Sequence, residues 1–70
     1  MIGGETMISL RYLRETKGYR QTDVAVIVGC SLASYRLWEL GVTKPSGKNM
    51  AKLKELFGEE NIIAIFGEGV

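Results

Sequence analysis

The sequence contains no histidine and a single cysteine, Cys30. One cysteine excludes an intramolecular disulfide, and without histidine the chain has few groups that bind metal ions or transfer protons near neutral pH. A phosphate-binding glycine loop is also missing, because the nine glycines are scattered along the chain. These absences predict a protein that is not an enzyme and that needs no metal ion or cofactor.

Long apolar runs are absent as well. The run from Ile62 to Phe66, for instance, is far shorter than the roughly 20 residues of a membrane span. The segment Met1 to Glu5 lacks the basic start and apolar core of a signal peptide. The 70 residues, 46% hydrophobic and 24% charged, predict one small globular domain, which we expect in the cytoplasm.

Charge is unevenly distributed, although the net charge is only +1. All nine Lys and Arg lie within residues 1–54, where only four acids oppose them, while residues 55–70 contain the other four acids and no base. This asymmetry predicts a basic body suited to phosphate and an acidic end kept away from it. The alternative is a solvated surface on which charges cluster by chance.

The hydrophobic periodicity predicts an all-α fold of five helices. The expected helices are Thr6–Lys17, Gln21–Val28, Leu32–Leu40, Lys48–Phe57 and Glu60–Phe66. Thr6, Ser31 and Ser46 are the expected N-caps of the first, third and fourth helices. The domain is therefore predicted over residues 6–66, with flexible ends at residues 1–5 and 67–70.

The second and third helices contain the residue types that a helix-turn-helix requires. In such a unit two short helices cross at roughly 90–120° over a turn of three to four residues. Ala25 supplies the small side chain at the crossing, and Gly29 tolerates the positive φ of the turn. Apolar residues that point into the junction are Val24, Val28, Cys30, Tyr35 and Trp38. The spacing predicts a helix-turn-helix over residues 21–40.

From Leu10 to Phe66 the chain resembles the lambda-repressor-like, Cro-type (XRE) helix-turn-helix proteins. The matching residues are Leu13-Arg14, Lys17-Gly18, Gln21, Ala25, Gly29, Ser31, Trp38-Glu39, Gly41 and Lys44-Pro45-Ser46. The resemblance implies a compact five-helix domain that binds double-stranded DNA and regulates transcription, as a repressor of phage or mobile-element type. It also implies an ion pair between Arg14 and Glu39, which would join the first helix to the third.

The resemblance further implies that the third helix lies in the major groove. Because Tyr35 and Trp38 point inward, the outer face of this helix predicts base contacts by Leu32, Ala33, Ser34, Arg36 and Leu37. Relatives usually have polar side chains at the positions of Leu32, Ala33 and Leu37. Apolar side chains can contact thymine methyl groups, and Arg36 is the candidate for a guanine contact.

Contacts to the DNA backbone are expected around this helix. The resemblance places them at Arg20, Gln21, Thr43, Lys44, Lys48 and Asn49. Gln21 begins a helix, where its side-chain amide and the unpaired backbone N–H groups suit a phosphate. Arg20 stands where relatives usually have a capping Ser, Thr or Asn, and we expect it to contact phosphate instead.

Two other functions remain compatible with the sequence. Leu32, Leu37 and Leu40 form an exposed apolar stripe, which would serve a protein-binding module such as a co-regulator or antirepressor. Alternatively, the chain is a weak nonspecific DNA binder that uses Arg20, Arg36, Lys44, Lys48 and Lys52.

Relatives commonly bind near-palindromic operators as dimers. The last helix has more apolar groups than so short a helix is expected to bury within its own domain. We therefore predict a homodimer interface formed by Ile62, Ile63, Ile65 and Phe66.

Overall fold

The computed structural model describes residues 8–67, which form five helices and no strand. The helices are α1 (Leu10–Thr16), α2 (Gln21–Val28), α3 (Leu32–Leu40), α4 (Gly47–Phe57) and α5 (Glu59–Phe66). α3 packs against α1 and α2, while α4 packs against α2 and α5. The predicted all-α, five-helix fold is confirmed. Within the described residues, no helix is long and apolar enough to cross a membrane.

The first helix begins later than the sequence predicts. α1 starts at Leu10, because the hydroxyl of Ser9 accepts a hydrogen bond from the backbone N–H of Tyr12 at 3.1 Å and thereby caps the helix. The predicted start of this helix is wrong, because Ile8 and Ser9 precede the helix and are not part of it. The predicted cap, Thr6, lies outside the described residues. So do residues 1–5 and 68–70, for which flexible ends are predicted.

The ends of α2 and α3 are set by glycines in the left-handed region. Gly29 has φ +87° and Gly41 has φ +78°, and the N–H of each glycine bonds to a carbonyl of the preceding turn. Ser31 then caps α3 through its hydroxyl, which accepts from the N–H of Ser34 at 3.0 Å. A side chain at Gly29 would strain this turn, and the turn fixes how α3 leaves α2.

The later helices differ from prediction only in detail. α4 begins at Gly47 and α5 at Glu59, each one residue before the predicted start. Ser46 occupies the N-cap position of α4, but its side chain makes no capping hydrogen bond.

The core lies where all five helices meet. Its buried residues are Leu10, Leu13, Val24, Ala25, Val28, Tyr35, Trp38, Leu53, Phe57, Ile62 and Phe66. The rings of Tyr35 and Trp38 meet edge to face, with their centroids 6.0 Å apart. Both rings therefore hold the inner face of α3 against the rest of the domain, and Cys30 is half-buried beside this core.

Two residues of the predicted dimer interface belong to this core. Ile62 is fully buried and Phe66 is 9% exposed, because α5 lies along α4 and covers them within a single chain. The interface prediction is therefore corrected for Ile62 and Phe66. Ile63 and Ile65 are half-buried, and only they remain candidates for contact with a second copy.

We predict that Ile62→Ala lowers the free energy of unfolding by about 3 kcal/mol, because the substitution leaves a cavity in the core. Ile63→Ala is the matched control on the same helix, and at protein concentrations where no dimer forms we expect a loss of about 1 kcal/mol or less. Urea unfolding followed by circular dichroism measures both. If Ile62→Ala were no more destabilising than Ile63→Ala, α5 would not be packed as described.

Candidate nucleic-acid interface

A buried ion pair joins α1 to the last turn of α3. Arg14 Nε donates to Glu39 Oε2 at 2.6 Å, and Arg14 Nη2 donates to Glu39 Oε1 at 3.4 Å. The two side chains are only 11% and 7% exposed. Arg14 Nη1 also donates to the carbonyl of Tyr19 at 3.0 Å, so one guanidinium holds α3 and the segment that leads into α2.

The surroundings of this pair keep it ionised. Burial alone would raise the pKa of Glu39, but hydrogen bonds from Arg14 and Gln21 outweigh burial and lower the pKa overall. The hydrogen bond to Glu39 likewise raises the pKa of Arg14. The pair is therefore charged at neutral pH, and its role is to hold helices together.

Gln21 connects the ion pair to the outer face of α3. Its Nε2 donates to Glu39 Oε1 at 3.0 Å, and its Oε1 accepts from Arg36 Nε at 3.2 Å. The sequence predicts a phosphate contact for this amide, but both of its ends are bonded inside the protein. The backbone N–H of Asp23 bonds to the carbonyl of Arg20 at 3.0 Å, so what the start of α2 retains for a phosphate, among residues 8–67, are the N–H groups of Gln21 and Thr22.

The outer face of α3 is apolar around a single arginine. Ala33, Arg36, Leu37 and Leu40 are exposed, whereas Leu32 and Ser34 are half-buried. Leu40 is 74% exposed and Leu37 is 38% exposed. The hydroxyl of Ser34 is hydrogen-bonded to that of Ser31 at 3.0 Å, which ties it to the cap of the helix.

The predicted backbone contacts fall into two groups. Thr43 and Lys48 are exposed and Asn49 is half-buried, and no hydrogen bond among residues 8–67 engages their side chains. Arg20 and Lys44, by contrast, have partners in the protein.

Arg20 lies 3.4 Å from the carboxylate of Asp23, which also accepts from the backbone N–H of Arg20 at 2.7 Å. Asp23 therefore provides the capping interaction that the Arg20 side chain cannot. Lys44 Nζ donates to the carbonyl of Phe66 at 3.3 Å. This contact holds the loop before α4 against the end of α5, where a cation is favourable because the C-terminus of a helix carries partial negative charge.

A surface depression beside α3 contains Arg11, a residue for which the sequence predicts no role. Its lining consists of Arg11, Arg14, Gln21, Arg36, Glu39 and Leu40. Arg11 is exposed and pairs with Glu15 at 3.0 Å. Its position three residues before Arg14 on α1 was the available signal. The depression brings two exposed arginines, Arg11 and Arg36, to the start of α2 and the outer face of α3.

Clusters that suit a metal ion are not part of this surface. Within residues 8–67, no three acidic or cysteine side chains come together as a possible metal site. The candidate nucleic-acid interface contains cationic, amide, hydroxyl and apolar side chains.

Comparison with protein families identifies the class of this domain. A helix-turn-helix family model matches residues 10–60. The chain therefore belongs to this family, the XRE-type helix-turn-helix proteins that include lambda-repressor-like and Cro-type domains. These are DNA-binding transcription regulators. No match to a curated protein or to a solved structure was found.

The ion pair predicts how stability depends on pH. The pKa of Glu39 in the folded chain lies below its ordinary value of 4.5. Its stabilising contribution is therefore fully present above about pH 4.5 and is lost as the pH falls through the folded pKa. We expect Glu39→Gln to be about 2 kcal/mol less stable than the unsubstituted chain at pH 7, because hydrogen bonds to a charged group are lost.

That difference should narrow at pH 3, which is below the ordinary pKa of 4.5, because Glu39 is then protonated in the unfolded chain and the unfolded state is stabilised. Urea unfolding at the two pH values measures it. Asp23→Asn serves for comparison: the pKa of this half-buried carboxylate is also lowered, by the hydrogen bond from the Arg20 N–H, so its contribution should be lost in acid as well. A difference between Glu39→Gln and the unsubstituted chain that stays constant from pH 7 to pH 3 would contradict the role of the charge.

Proposed function

We propose that this protein is a sequence-specific regulator that inserts α3 into the major groove of double-stranded DNA. The observation that supports this most directly is the position of Arg36. It stands on the exposed face of α3, and it also lines the depression at the start of α2 together with Arg11. A base-contacting face and groups suited to phosphate are thus adjacent, as a helix inserted in a groove requires.

The remainder of α3 favours contact with thymine. Leu32, Ala33 and Leu37 offer no hydrogen bonds to base edges, but their side chains can cover the C5 methyl group that thymine presents in the major groove. The preferred site is therefore expected to combine thymines with a guanine near Arg36. Exposed Lys48 would add contact with the DNA backbone, which strengthens binding to any sequence.

Repression is the regulatory outcome we propose, because a protein that occupies a promoter excludes other proteins from the same DNA. We also propose binding as a homodimer, with Ile63 and Ile65 contributing the contact between copies. Half-sites would then lie about one helical turn apart.

The proposed function is tested by selecting bound duplexes from a random pool and measuring their affinities. We expect an enriched site with two inverted half-sites, each containing thymines and a guanine. Replacing a contacted thymine by deoxyuridine removes only the methyl group, and should weaken binding about fourfold per buried methyl. In the Leu37→Ala variant, replacing the thymine that Leu37 contacts should no longer weaken binding. Val26→Ala is the control, because Val26 is 79% exposed on α2.

Two outcomes would contradict the proposal. If no duplex were enriched and binding disappeared in excess competitor DNA, the chain would be a nonspecific binder. If no duplex were bound even at low salt, the second candidate, a protein-binding module, would be favoured. The exposure of Leu37 and Leu40 is the observation that supports this second candidate.

A further inference from the structure

The side chain of Gln21 lies between a buried carboxylate and an exposed arginine. It donates to Glu39 at 3.0 Å through Nε2 and accepts from Arg36 at 3.2 Å through Oε1. The chemistry of the partners fixes the orientation of the amide. A carboxylate only accepts and a guanidinium only donates, so exchanging the two ends of the amide would lose both hydrogen bonds.

The inner end of this chain of contacts is anchored in the protein. Glu39 is held by Arg14, and neither side chain is more than 11% exposed. These hydrogen bonds therefore connect α1 to the end of α3, the end of α3 to the start of α2, and the start of α2 to the middle of α3. Gln21 thus links an exposed arginine to a carboxylate whose side chain is only 7% exposed.

The bond to Gln21 determines which part of Arg36 faces outward. A guanidinium has five N–H groups, and Gln21 engages the one on Nε. Among residues 8–67, the guanidinium of Arg36 has no other hydrogen-bond partner. The two Nη groups remain for an external acceptor. Their spacing matches the O6 and N7 atoms of guanine, which accept two parallel hydrogen bonds from one arginine.

We propose that Gln21 is a positioning residue that holds Arg36 by Nε, so that the two Nη groups meet a single guanine in the major groove. This proposal rests on the proposed function. Holding the side chain before binding lowers the entropy lost when the arginine is ordered on DNA. Gln21 therefore influences specificity without touching a base.

The first test uses the free protein and needs no DNA. The Arg36 Nε–H signal in a nitrogen-15 NMR spectrum should show slowed exchange with solvent, because this proton is hydrogen-bonded. Gln21→Ala and Gln21→Met should both abolish that protection, and Gln21→Met keeps the length of the side chain. Thr22→Ala, the exposed neighbour on α2, should not change the signal. An unchanged signal in both Gln21 variants would overturn the proposal.

The second test measures discrimination on the selected site. Replacing its guanine should weaken binding of the unsubstituted chain about tenfold. We expect Arg36→Ala to abolish this preference and, because it removes a cation, to weaken binding to unrelated duplexes as well. Gln21→Met keeps the net charge, and we expect it to reduce the preference severalfold more than it reduces binding to unrelated duplexes. Adding Gln21→Met to Arg36→Ala should cause no further loss of the preference for guanine, because Gln21 acts through Arg36.

Other outcomes of these tests would show whether the positioning role of Gln21 or the proposed function is wrong. If Gln21→Met weakened binding to all duplexes equally, with the salt dependence unchanged because the amide is uncharged, Gln21 would be a phosphate contact and the positioning role would be overturned. If the unsubstituted chain bound no duplex, the proposed function would fail and the guanine contact with it. The NMR measurement would still decide whether Gln21 restrains Arg36.

Discussion

The carboxylate of Glu39 is the point at which three helices are joined. It belongs to α3, it is paired with Arg14 of α1, and it accepts from Gln21 at the start of α2. Removing one partner of this part-buried pair would leave the charge of the other uncompensated, which destabilises the fold. The position of α3 relative to α1 and α2 therefore depends on a polar contact as well as on the packing of Tyr35 and Trp38.

The two faces of α3 follow from this arrangement. The inner face is fixed by aromatic packing and by Glu39, which leaves Ala33, Arg36 and Leu37 to face outward. Only Arg36 of these three offers hydrogen bonds to a base edge, so the specificity we propose would depend on one arginine and on apolar contact with thymine methyl groups. Acids at the opposite end of the chain, such as Glu55 and Glu59, are exposed and would repel phosphate.

Local chemistry made most of the fold predictable from the sequence. Gly29 and Gly41 end their helices because each adopts a positive φ, and Ser31 caps α3 as its hydroxyl predicts. The start of α1 was predicted wrongly because Thr6 and Ser9 are both good capping residues, and local preference does not choose between them. The family resemblance, not the spacing of residues, indicated Arg14 and Glu39 as partners.

Features that depend on distances between helices could not be predicted. The sequence places Gln21 at a helix start, where a phosphate contact is the local expectation, but α3 brings Glu39 and Arg36 within reach of its amide. Ile62 and Phe66 were predicted at a dimer interface because an isolated helix cannot bury them. Packing against α4 provides that burial within one chain.

The central claim is that the outer face of α3, held in place through Glu39, is the surface that meets DNA. Titrating the nitrogen-15-labelled protein with a duplex and following its backbone amide signals tests this most directly. We expect the largest shifts at Ala33, Arg36 and Leu37 and at the start of α2, with small shifts along α5. Shifts concentrated on α5, or none at low salt with excess duplex, would contradict the claim.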